Sequence, residues 1–393
     1  MVDYVYHSIP FYRRQFEKND IHPSEIRSLR DLQYVPRLDR SMADVLSREV
    51  YAKSNKSFVS LRSSGTSGIP LTTYLSRRDI HLRRMSYVRM HIRAGREASD
   101  RMLVIVPPHT HCNTRQFHFC ERYQKTEFYL DSGLPDKDII CHIQRLDPDI
   151  ILGYSSRLLS LAAALRKKGE KVNKARLVFT TADCLLPSER KDIEAAFNAA
   201  VFDYYSCSEG GIVGYECRMH KGYHIDTDNI IVEIIKNGRP VRPGETGEVH
   251  ISTVSQYAMP FIRYKVGDVA SFAGKKCECG DTFPLLTLVE GRINDSVVLP
   301  NGKRISPYRL MLALDTFTDI KRYKIIQQTD MTIFVFLDVY PANSSLYRTA
   351  EKRIKKTVGE TVSVLMHPYE KAHSSNRIKK QTVTSYVTDC VKQ

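Results

Sequence analysis

The stretch "PDIILGYSSRLLSLAAALRKKGEKVNKARLVFTTAD", residues 148–183, decides the fold class of this 393-residue chain. Its two ends are short apolar runs, and the segment between them, "SSRLLSLAAALRKKG", can form a helix. A strand, a helix and a strand at this spacing favour a parallel sheet that is covered by helices. We therefore predict an α/β fold.

The same pattern continues on both sides of this stretch. "RMLVIVPP" (101–108) and "AAVFDYYS" (199–206) are further short apolar runs, and "LPSERKDIEAAFN", before the second of them, can form another helix. Residues 3–50 mix polar and apolar positions at helical spacing and are interrupted by prolines. We expect helices there, ahead of the sheet.

Two changes of pattern divide the rest of the chain. From residue 230, β-rich runs are punctuated by Asn-Gly and Pro-Gly, which predicts an antiparallel β portion. Beyond residue 292, the segments follow the order helix, strand, strand, helix, strand, which suits a small α+β domain. We expect a large N-terminal α/β domain with a β-rich portion at 1–292 and a small C-terminal α+β domain at 293–393.

Composition limits the class of protein. With 42% hydrophobic residues the chain can bury a large core, and its length favours two or three domains. No run of about 18 apolar residues is present and the N-terminus mixes acids with bases, so we expect neither a membrane span nor a signal peptide. The nine cysteines then indicate thiols or metal ligands, and we expect a cytoplasmic protein.

The formal net charge of +15 is spread along the chain in small groups such as "SRRDIHLRRM" and "RIKKQ". No nucleic-acid module accompanies these groups, so no nucleic-acid partner is expected. Solvated helix faces are one interpretation, and a docking surface for an acidic carrier or a large anionic ligand is the other.

The first candidate for chemistry is the loop in "LRSSGTSGIPLTTYLS" (61–76). Glycines allow backbone N–H groups to turn toward a ligand, and the hydroxyls add donors, so this loop can hold phosphate oxygens. It lacks the Gly-Lys-Ser/Thr ending of the common P-loop, because Gly68 is followed by Ile69. Taken alone, its composition is more typical of a flexible connection than of a binding site.

The second and third candidates follow strand-like runs. In "DYYSCSEGG", Tyr205, Ser208 and Glu209 lie where a base can stack and a carboxylate can hold a metal ion, although a simple turn is the alternative. In "FIRYKVGDVA", Asp268 can accept hydrogen bonds from the two hydroxyls of a ribose, or be an ordinary turn residue. Arg292 in "EGRIND" lies at the expected domain junction.

The order of these elements, SSGTSGxP, YxxSE, RYxxGD and a junction GR, resembles the adenylate-forming ligases. Within that superfamily the chain is most similar to the phenylacetate–coenzyme A ligase family, also in its N-terminal "SIPFYRRQF" and in "MPFIRYKVGD". Such enzymes react a carboxylic acid with ATP to give an acyl adenylate and pyrophosphate, and usually pass the acyl group to a thiol. The resemblance therefore implies an AMP-forming ligase that uses ATP, Mg²⁺ and coenzyme A.

The resemblance also assigns roles to residues. Tyr205 is expected near adenine, Ser208 near the α-phosphate, Glu209 on Mg²⁺, Asp268 on the ribose and Arg292 on the nucleotide near the hinge. The loop expected to close over the β- and γ-phosphates consists of Ser64, Gly65, Thr66, Ser67 and Gly68.

Several positions depart from the pattern of the relatives. Many relatives carry a C-terminal Gly-Lys, whereas this chain has Asn376-Arg377, and arginine is not equivalent to lysine at a tightly fitted site. We assign the role of the catalytic cation to Arg377, and Lys379 or Lys380 would take this role after a register shift. Thr66 and Glu209 are the other two residues to which we assign a catalytic role. Leu71 stands where many superfamily members have lysine, although the phenylacetate branch often lacks that lysine as well. Asn294 occupies the hinge position.

A separate set of soft ligands follows these motifs. Cys217, His224, Cys277 and Cys279 match the ligand types of a closed tetrahedral zinc site, and some members of the similar family bind zinc there. We expect a structural zinc ion, with unmetallated thiols as the alternative. His220 competes with His224 as the fourth ligand.

Weaker candidates remain. His109 and His111 follow a strand near the expected acyl pocket, and "TTADC" (180–184) can line the nucleotide or acyl site. Nothing near Cys207 indicates a thiolate nucleophile.

Two rival functions are a ligase that works without coenzyme A and a nucleotide-binding homologue impaired in catalysis. The acid and the formation of a homodimer are left open.

Overall fold

The structure is a computed structural model that describes residues 1–53, 58–63, 70–107, 126–172, 174–292, 296–341, 343–370 and 382–387. Its helices are α1 (Val2–Ser8), α2 (Pro10–Lys18), α3 (Arg40–Lys53), α4 (Arg77–Arg93), α5 (Asp136–Leu146), α6 (Ser155–Lys168), α7 (Pro187–Phe197), α8 (Pro307–Leu314) and α9 (Ser344–Val358).

The first ten strands are β1 (Val59–Arg62), β2 (Thr72–Leu75), β3 (Met102–Val106), β4 (Glu127–Asp131), β5 (Ile150–Tyr154), β6 (Leu177–Thr181), β7 (Ala200–Cys207), β8 (Gly211–Glu216), β9 (Tyr223–Ile225) and β10 (Ile230–Lys236). The other ten are β11 (Arg239–Pro240), β12 (Gly247–Thr253), β13 (Tyr264–Phe272), β14 (Leu285–Arg292), β15 (Val297–Val298), β16 (Arg304–Ile305), β17 (Ile320–Gln327), β18 (Ile333–Val339), β19 (Val364–Pro368) and β20 (Val383–Ser385).

Twelve strands form one large sheet, in the order β11-β10-β12-β13-β14-β9-β8-β7-β6-β5-β3-β4. The five strands from β4 to β7 pair in parallel. The strands from β7 to β11 pair antiparallel. The predicted parallel sheet and the predicted antiparallel β portion are therefore both confirmed, and they are continuous with each other.

Helices cover both faces of the parallel part. Helices α5, α6 and α7 contribute Ile143, Leu161 and Phe197 to a buried cluster on one face. On the other face, Met90 of α4 packs in a second cluster with Phe179 of β6. Each fully buried side chain of this kind contributes roughly 1.5–3 kcal/mol relative to exposure, which favours the sandwiched arrangement.

The N-terminal helices pack against the antiparallel part. Val5, Phe16 and Leu46, from α1, α2 and α3, share a buried cluster with Val249 of β12 and Phe261. The predicted helical character of residues 3–50 is confirmed. This packing also brings the start of α3 next to the central strands of the sheet.

A second sheet follows in the chain, with the order β19-β18-β17-β20. Its buried residues, with those of α8 and α9, form a cluster drawn from residues 297–383. The predicted succession of helix, strand, strand, helix and strand is confirmed, whereas β20 is an additional strand, parallel to β17, that was not predicted.

Further features differ from expectation. Strand β4 and helix α5 were not predicted. The group "SRRDIHLRRM" lies at the start of α4 and is only partly a solvated face, because Arg84 forms a part-buried ion pair with Glu127. None of the described helices combines the length and the apolar character needed to cross a membrane.

Candidate functional site

Strand β7 is the point where the large sheet changes from parallel to antiparallel pairing, and the turn of residues 208–210 follows it. Two glycines permit this turn. A Cβ at Gly210 would lie 2.7 Å from Ile230 Cδ1 and 2.9 Å from Ile251 Cδ1. At Gly211, φ is +79°, and a Cβ would lie 3.3 Å from Arg83 Cδ. The sequence Ser-Glu-Gly-Gly therefore fits a tight turn at the switch point of the sheet, where α/β proteins bind ligands.

Tyr205 and Asp268 are joined directly. The Tyr205 hydroxyl donates a 2.6 Å hydrogen bond to Asp268 Oδ2, although β7 and β13 are not neighbours in the sheet. Burial, and then the Asp268 carboxylate, raise the pKa of Tyr205 well above its usual value, so the phenol remains a donor. The structure thus brings together the proposed adenine and ribose residues from two separate motifs.

Arg292 lies opposite Asp268 in the register of β13 and β14. Its backbone is therefore next to the candidate ribose residue. The side chain of Arg292 and the hinge residue Asn294 lie outside what the structure describes.

Glu209 is buried, with 6% of its surface exposed, and two donors contact its carboxylate. The Tyr264 hydroxyl donates to Oε1 at 3.1 Å, and Arg40 Nη1 lies 3.5 Å from the same oxygen. Among the described residues this leaves Oε2 for a cation. A nearly buried carboxylate that keeps one free oxygen suits a Mg²⁺ ligand.

Arg40 and Arg83 are site neighbours that the sequence interpretation missed. Arg40 begins α3, and Arg83 lies on α4 and donates a 3.0 Å hydrogen bond to the backbone carbonyl of Ser208. Their only sequence signal was membership in the scattered basic groups, which does not separate them from solvated arginines.

The Ser/Gly/Thr loop connects the two strands of a hairpin. Strands β1 and β2 pair antiparallel, and Ser63 N donates to the Leu71 carbonyl at 2.9 Å. Leu71 N in turn donates to Ser63 Oγ at 2.9 Å. The two ends of the predicted phosphate loop are therefore held together. The loop residues themselves, Ser64, Gly65, Thr66, Ser67 and Gly68, lie outside the described part of the chain.

Leu71 occupies the position where many members of the superfamily are expected to have lysine. Its side chain is fully buried in the cluster that contains α1, α2 and α3. A lysine at this position would place a charge in an apolar core.

Other predicted residues also fall outside the described ranges. These are the proposed catalytic Arg377 with Asn376, the alternatives Lys379 and Lys380, and the pocket candidates His109 and His111. Their roles stay predictions.

The "TTADC" segment supports strand β7. Thr180 Oγ1 donates to Asp203 Oδ1 at 2.6 Å, and Thr181 Oγ1 donates to the Tyr204 carbonyl at 3.1 Å. Burial raises the pKa of Cys184 to about 12 and that of Cys207 further above its usual value. Neither thiol is a thiolate near neutral pH, as expected for Cys207.

Four candidate metal ligands converge in a separate cluster. The ligand atoms of Cys217, His224, Cys277 and Cys279 all lie within 4.8 Å of one another. Cys217 Sγ is 3.6 Å from Cys277 Sγ, and Cys279 Sγ is 3.4 Å from His224 Nε2. These separations and this donor set fit a tetrahedral Zn²⁺ ion, in which every coordination position is filled by protein.

Hydrogen bonds around the cluster orient its ligands. The backbone N–H groups of Met219 and Asp281 each donate to a cysteine sulfur two residues earlier, both at 3.4 Å. His224 Nδ1 lies 3.3 Å from the Phe283 carbonyl, which suits the tautomer with Nε2 free to bind a metal. Burial lowers the pKa of His224, which favours the neutral ring that a metal requires.

His220 lies elsewhere. Its Nδ1 is 3.2 Å from Glu216 Oε2 and 3.3 Å from Arg190 Nη1. In the described structure, His224 is therefore the histidine that joins the three sulfurs. All six described cysteines are free thiols: Cys141, Cys184, Cys207, Cys217, Cys277 and Cys279.

Comparison with known proteins gives a consistent result. No family model matches the chain. Phenylacetate-coenzyme A ligase from Thermus thermophilus is 24% identical over 344 residues, which cover 85% of this chain and 77% of that protein. The enzyme of the same name from Escherichia coli is 26% identical over 318 residues, covering 78% of this chain and 72% of the relative.

Solved structures show the same fold. 2-Hydroxyisobutyryl-CoA ligase, in the postadenylation state with 2-HIB-AMP, matches with a TM-score of 0.85 at 18% identity, covering 99% of this chain and 88% of the other. Anthranilate CoA ligase in complex with anthranoyl-AMP matches with a TM-score of 0.61, covering 83% and 64%. The chain is therefore a homologue of the phenylacetate–coenzyme A ligases and has the fold of the adenylate-forming coenzyme A ligases.

Proposed function

We propose that this protein is an ATP-dependent, AMP-forming carboxylate ligase. It converts a carboxylic acid and ATP to an acyl adenylate and pyrophosphate, and then transfers the acyl group to the thiol of coenzyme A. The homologues are coenzyme A ligases with the same fold, which supports both steps.

The observation that carries this proposal is the union of two motifs at the switch point of the sheet. The hydrogen bond from Tyr205 to Asp268 fixes a carboxylate beside an aromatic ring, a combination that suits the ribose and adenine of ATP. Glu209 follows four residues after Tyr205 and keeps a carboxylate oxygen available for Mg²⁺. When bound, Mg²⁺ would neutralise charge on the phosphate oxygens.

The protein mainly has to bring two anions together. The substrate carboxylate attacks the α-phosphorus in line, so positioning and neutralisation of charge lower the barrier. We assign contact with the α-phosphate to Ser208, contact with the outer phosphates to Ser64, Gly65, Thr66, Ser67 and Gly68, and the C-terminal cation to Arg377. The hydrogen bonds that join the two ends of the hairpin loop support the assignment of this loop to the outer phosphates.

We further propose that residues 293–393 form a mobile domain that rotates about Arg292 between the two half-reactions. Separate apolar cores in the two sheets support this division. The proposed compartment is the cytoplasm, in keeping with six described cysteines that are all free thiols.

Zinc is the proposed occupant of the Cys/His cluster. Four protein ligands would close the coordination sphere, so the ion would have a structural role and no open position for a substrate. Elemental analysis of the purified protein should give about one zinc per chain, and a ratio near zero would remove this assignment.

The function is tested by ATP–pyrophosphate exchange with a panel of aryl, fatty and hydroxy acids. We expect exchange that depends on both the acid and Mg²⁺, followed by a coenzyme A thioester detectable by mass spectrometry. Exchange without a thioester would favour a ligase that uses another acceptor. ATP binding without exchange for any acid would favour a homologue that has lost catalysis.

A further inference from the structure

Helix α4 carries a row of polar side chains that face the rest of the large domain. Asp79, Arg83, Ser86, Arg89 and Arg93 recur every three or four residues and so lie along one face of the helix. Each of them contacts a group outside the helix. A polar stripe toward the interior is unusual, because core-facing helix positions are normally apolar.

The first turn of α4 fastens two backbone segments. Asp79 accepts hydrogen bonds from Tyr257 N at 2.8 Å and Ala258 N at 3.1 Å. It also accepts from Ser76 N at 2.8 Å, directly after strand β2 of the hairpin. The hairpin that carries the candidate phosphate loop is thus linked to the segment at residues 257–258.

Arg83, one turn further along, fastens the turn at residues 208–209. Its Nη1 donates to the Ser208 carbonyl at 3.0 Å, and its Nη2 donates to the Glu209 carbonyl at 2.5 Å. Nη2 also donates to Gln256 Oε1 at 2.6 Å. One guanidinium therefore joins three acceptors from two loops, which a planar fork with several N–H donors can do and an ammonium group cannot do with the same geometry.

Two of these acceptors are backbone carbonyls of residues whose side chains belong to the candidate site. Ser208 and Glu209 are the residues assigned to the α-phosphate and to Mg²⁺. Bonds to their backbone carbonyls fix the turn without using the Glu209 carboxylate, whose Oε2 stays without a partner among the described residues. Gly211 leaves the space that Arg83 fills, since a Cβ at that position would lie 3.3 Å from Arg83 Cδ.

We propose that Arg83 is a positioning residue for the divalent cation, because it holds the Ser208–Glu209 turn in the geometry that binds Mg²⁺–ATP. This inference rests on the proposed function of the same site. Arg83 acts through Glu209 and does not itself contact the reacting atoms. Groups that hold metal ligands in place in this way typically alter metal affinity or activity by about 10- to 100-fold when removed.

The test compares Arg83→Met with a matched control, Arg84→Met. Arg84 is the next residue on the same helix, and its side chain is 17% exposed and paired with Glu127 at 2.6 Å, in a different part of the sheet. Both variants remove a part-buried arginine, but only the first releases the 208–209 turn. Arg83→Lys serves as a milder second variant that keeps the charge.

Two readouts are needed. The first is the Mg²⁺ concentration that gives half-maximal ATP–pyrophosphate exchange. The second is binding of Mn²⁺ in the presence of α,β-methylene-ATP, followed by electron paramagnetic resonance, which does not depend on turnover. We expect Arg83→Met to weaken both by about tenfold or more, Arg83→Lys to lie between it and wild type, and Arg84→Met to stay within about twofold of wild type.

The inference is overturned if Arg83→Met binds Mn²⁺ as wild type does, or if Arg84→Met shows the same loss. Should Arg83→Met fail to fold, the Arg83→Lys result decides in the same way. If wild type shows no exchange with any acid, the proposed ligase function fails, while nucleotide-dependent Mn²⁺ binding by the variants still decides the role of Arg83.

Discussion

The two ends of helix α4 contact two candidate sites that are built in opposite ways. In its first half, Arg83 holds the 208–209 turn of the candidate nucleotide site. At its end, Arg93 forms an ion pair with Asp281, two residues after Cys279 of the Cys/His cluster. One helix therefore connects the candidate nucleotide site, which has to bind and release substrates, with the Cys/His cluster, which would keep its ion permanently.

The two sites differ in how many separate segments of the chain supply their residues. Two short segments, residues 217–224 and 277–279, supply all four candidate ligands of the Cys/His cluster, and backbone N–H groups orient two of the sulfurs. The nucleotide site combines residues that are far apart in sequence, such as Tyr205 and Asp268, and leaves Oε2 of the buried Glu209 carboxylate without a partner among the described residues. A closed site stabilises structure, whereas an open one must leave part of its bonding capacity for the substrate.

The largest effect is expected from the closed site. Cys279→Ser should remove bound zinc and lower the free energy of unfolding by more than about 4 kcal/mol, because metal binding is coupled to folding. Elemental analysis and urea unfolding measure the two changes. Cys141→Ser, at an exposed free thiol on α5, is the control and should change neither. Equal stability of Cys279→Ser and wild type would mean that the cluster is not a structural metal centre.

The second effect concerns the open site. Glu209→Gln keeps an acceptor for Tyr264 but removes the negative charge that Mg²⁺ needs. We expect kcat/KM for exchange to fall by about 100-fold, or about 2.7 kcal/mol, with little change in stability. Glu17→Gln, at an exposed position on α2, should behave as wild type. Wild-type exchange by Glu209→Gln would show that the turn does not bind the cation.

The third effect tests the helix between the two sites. His91 is buried against Phe179, at 4.5 Å between ring centroids, and burial lowers its pKa from 6.5 to about 3. Between these values the unfolded chain binds more protons than the folded one, so stability is lost as pH falls below 6.5. From pH 7 to pH 5, wild type should lose about 2 kcal/mol more than His91→Phe.

Urea unfolding at both pH values measures that difference. His142→Gln, at an exposed position on α5, is the matched control and should retain the full wild-type loss. A wild-type pH dependence in His91→Phe would show that another group is responsible.

The smallest effect is expected at the ribose residue. Asp268→Asn keeps the shape of the side chain and can still accept from Tyr205, but it loses the charge-assisted bonds to two hydroxyls. KM for ATP should rise about tenfold while kcat changes less. Tyr205→Phe removes the hydrogen bond that orients Asp268 but keeps the carboxylate. If KM for ATP rises in Asp268→Asn and not in Tyr205→Phe, the carboxylate binds the ribose without needing the phenol to orient it. An unchanged KM for ATP in Asp268→Asn would show that Asp268 does not bind the ribose.

Local patterns in the sequence were sufficient for much of this molecule. The parallel strands, the antiparallel portion and the second sheet follow from apolar runs and turn residues, which act over a few positions. The convergence of Cys217, His224, Cys277 and Cys279 agrees with their residue types and with the family resemblance. The sequence alone did not separate His224 from His220, because the choice depends on the path of β9 beside β14.

Long-range contacts limited the sequence interpretation of the candidate site. Arg83 and Arg84 are adjacent and chemically identical, yet one binds the 208–209 turn and the other pairs with Glu127. Arg40 lies 169 residues before Glu209. No pattern within one segment identifies such partners, since they depend on how the helices pack against the sheet.

The burial of Leu71 has a consequence for attempts to change this enzyme. The resemblance to the superfamily implies a lysine at this position in many members, although the phenylacetate branch often lacks it, so Leu71→Lys suggests itself as a way to strengthen phosphate binding. Here that side chain belongs to the core shared by α1, α2 and α3, and a lysine would either disrupt this packing or lose its proton. A stronger phosphate site would have to be engineered at positions outside this core, starting with residues such as Arg40, which already lies beside Glu209.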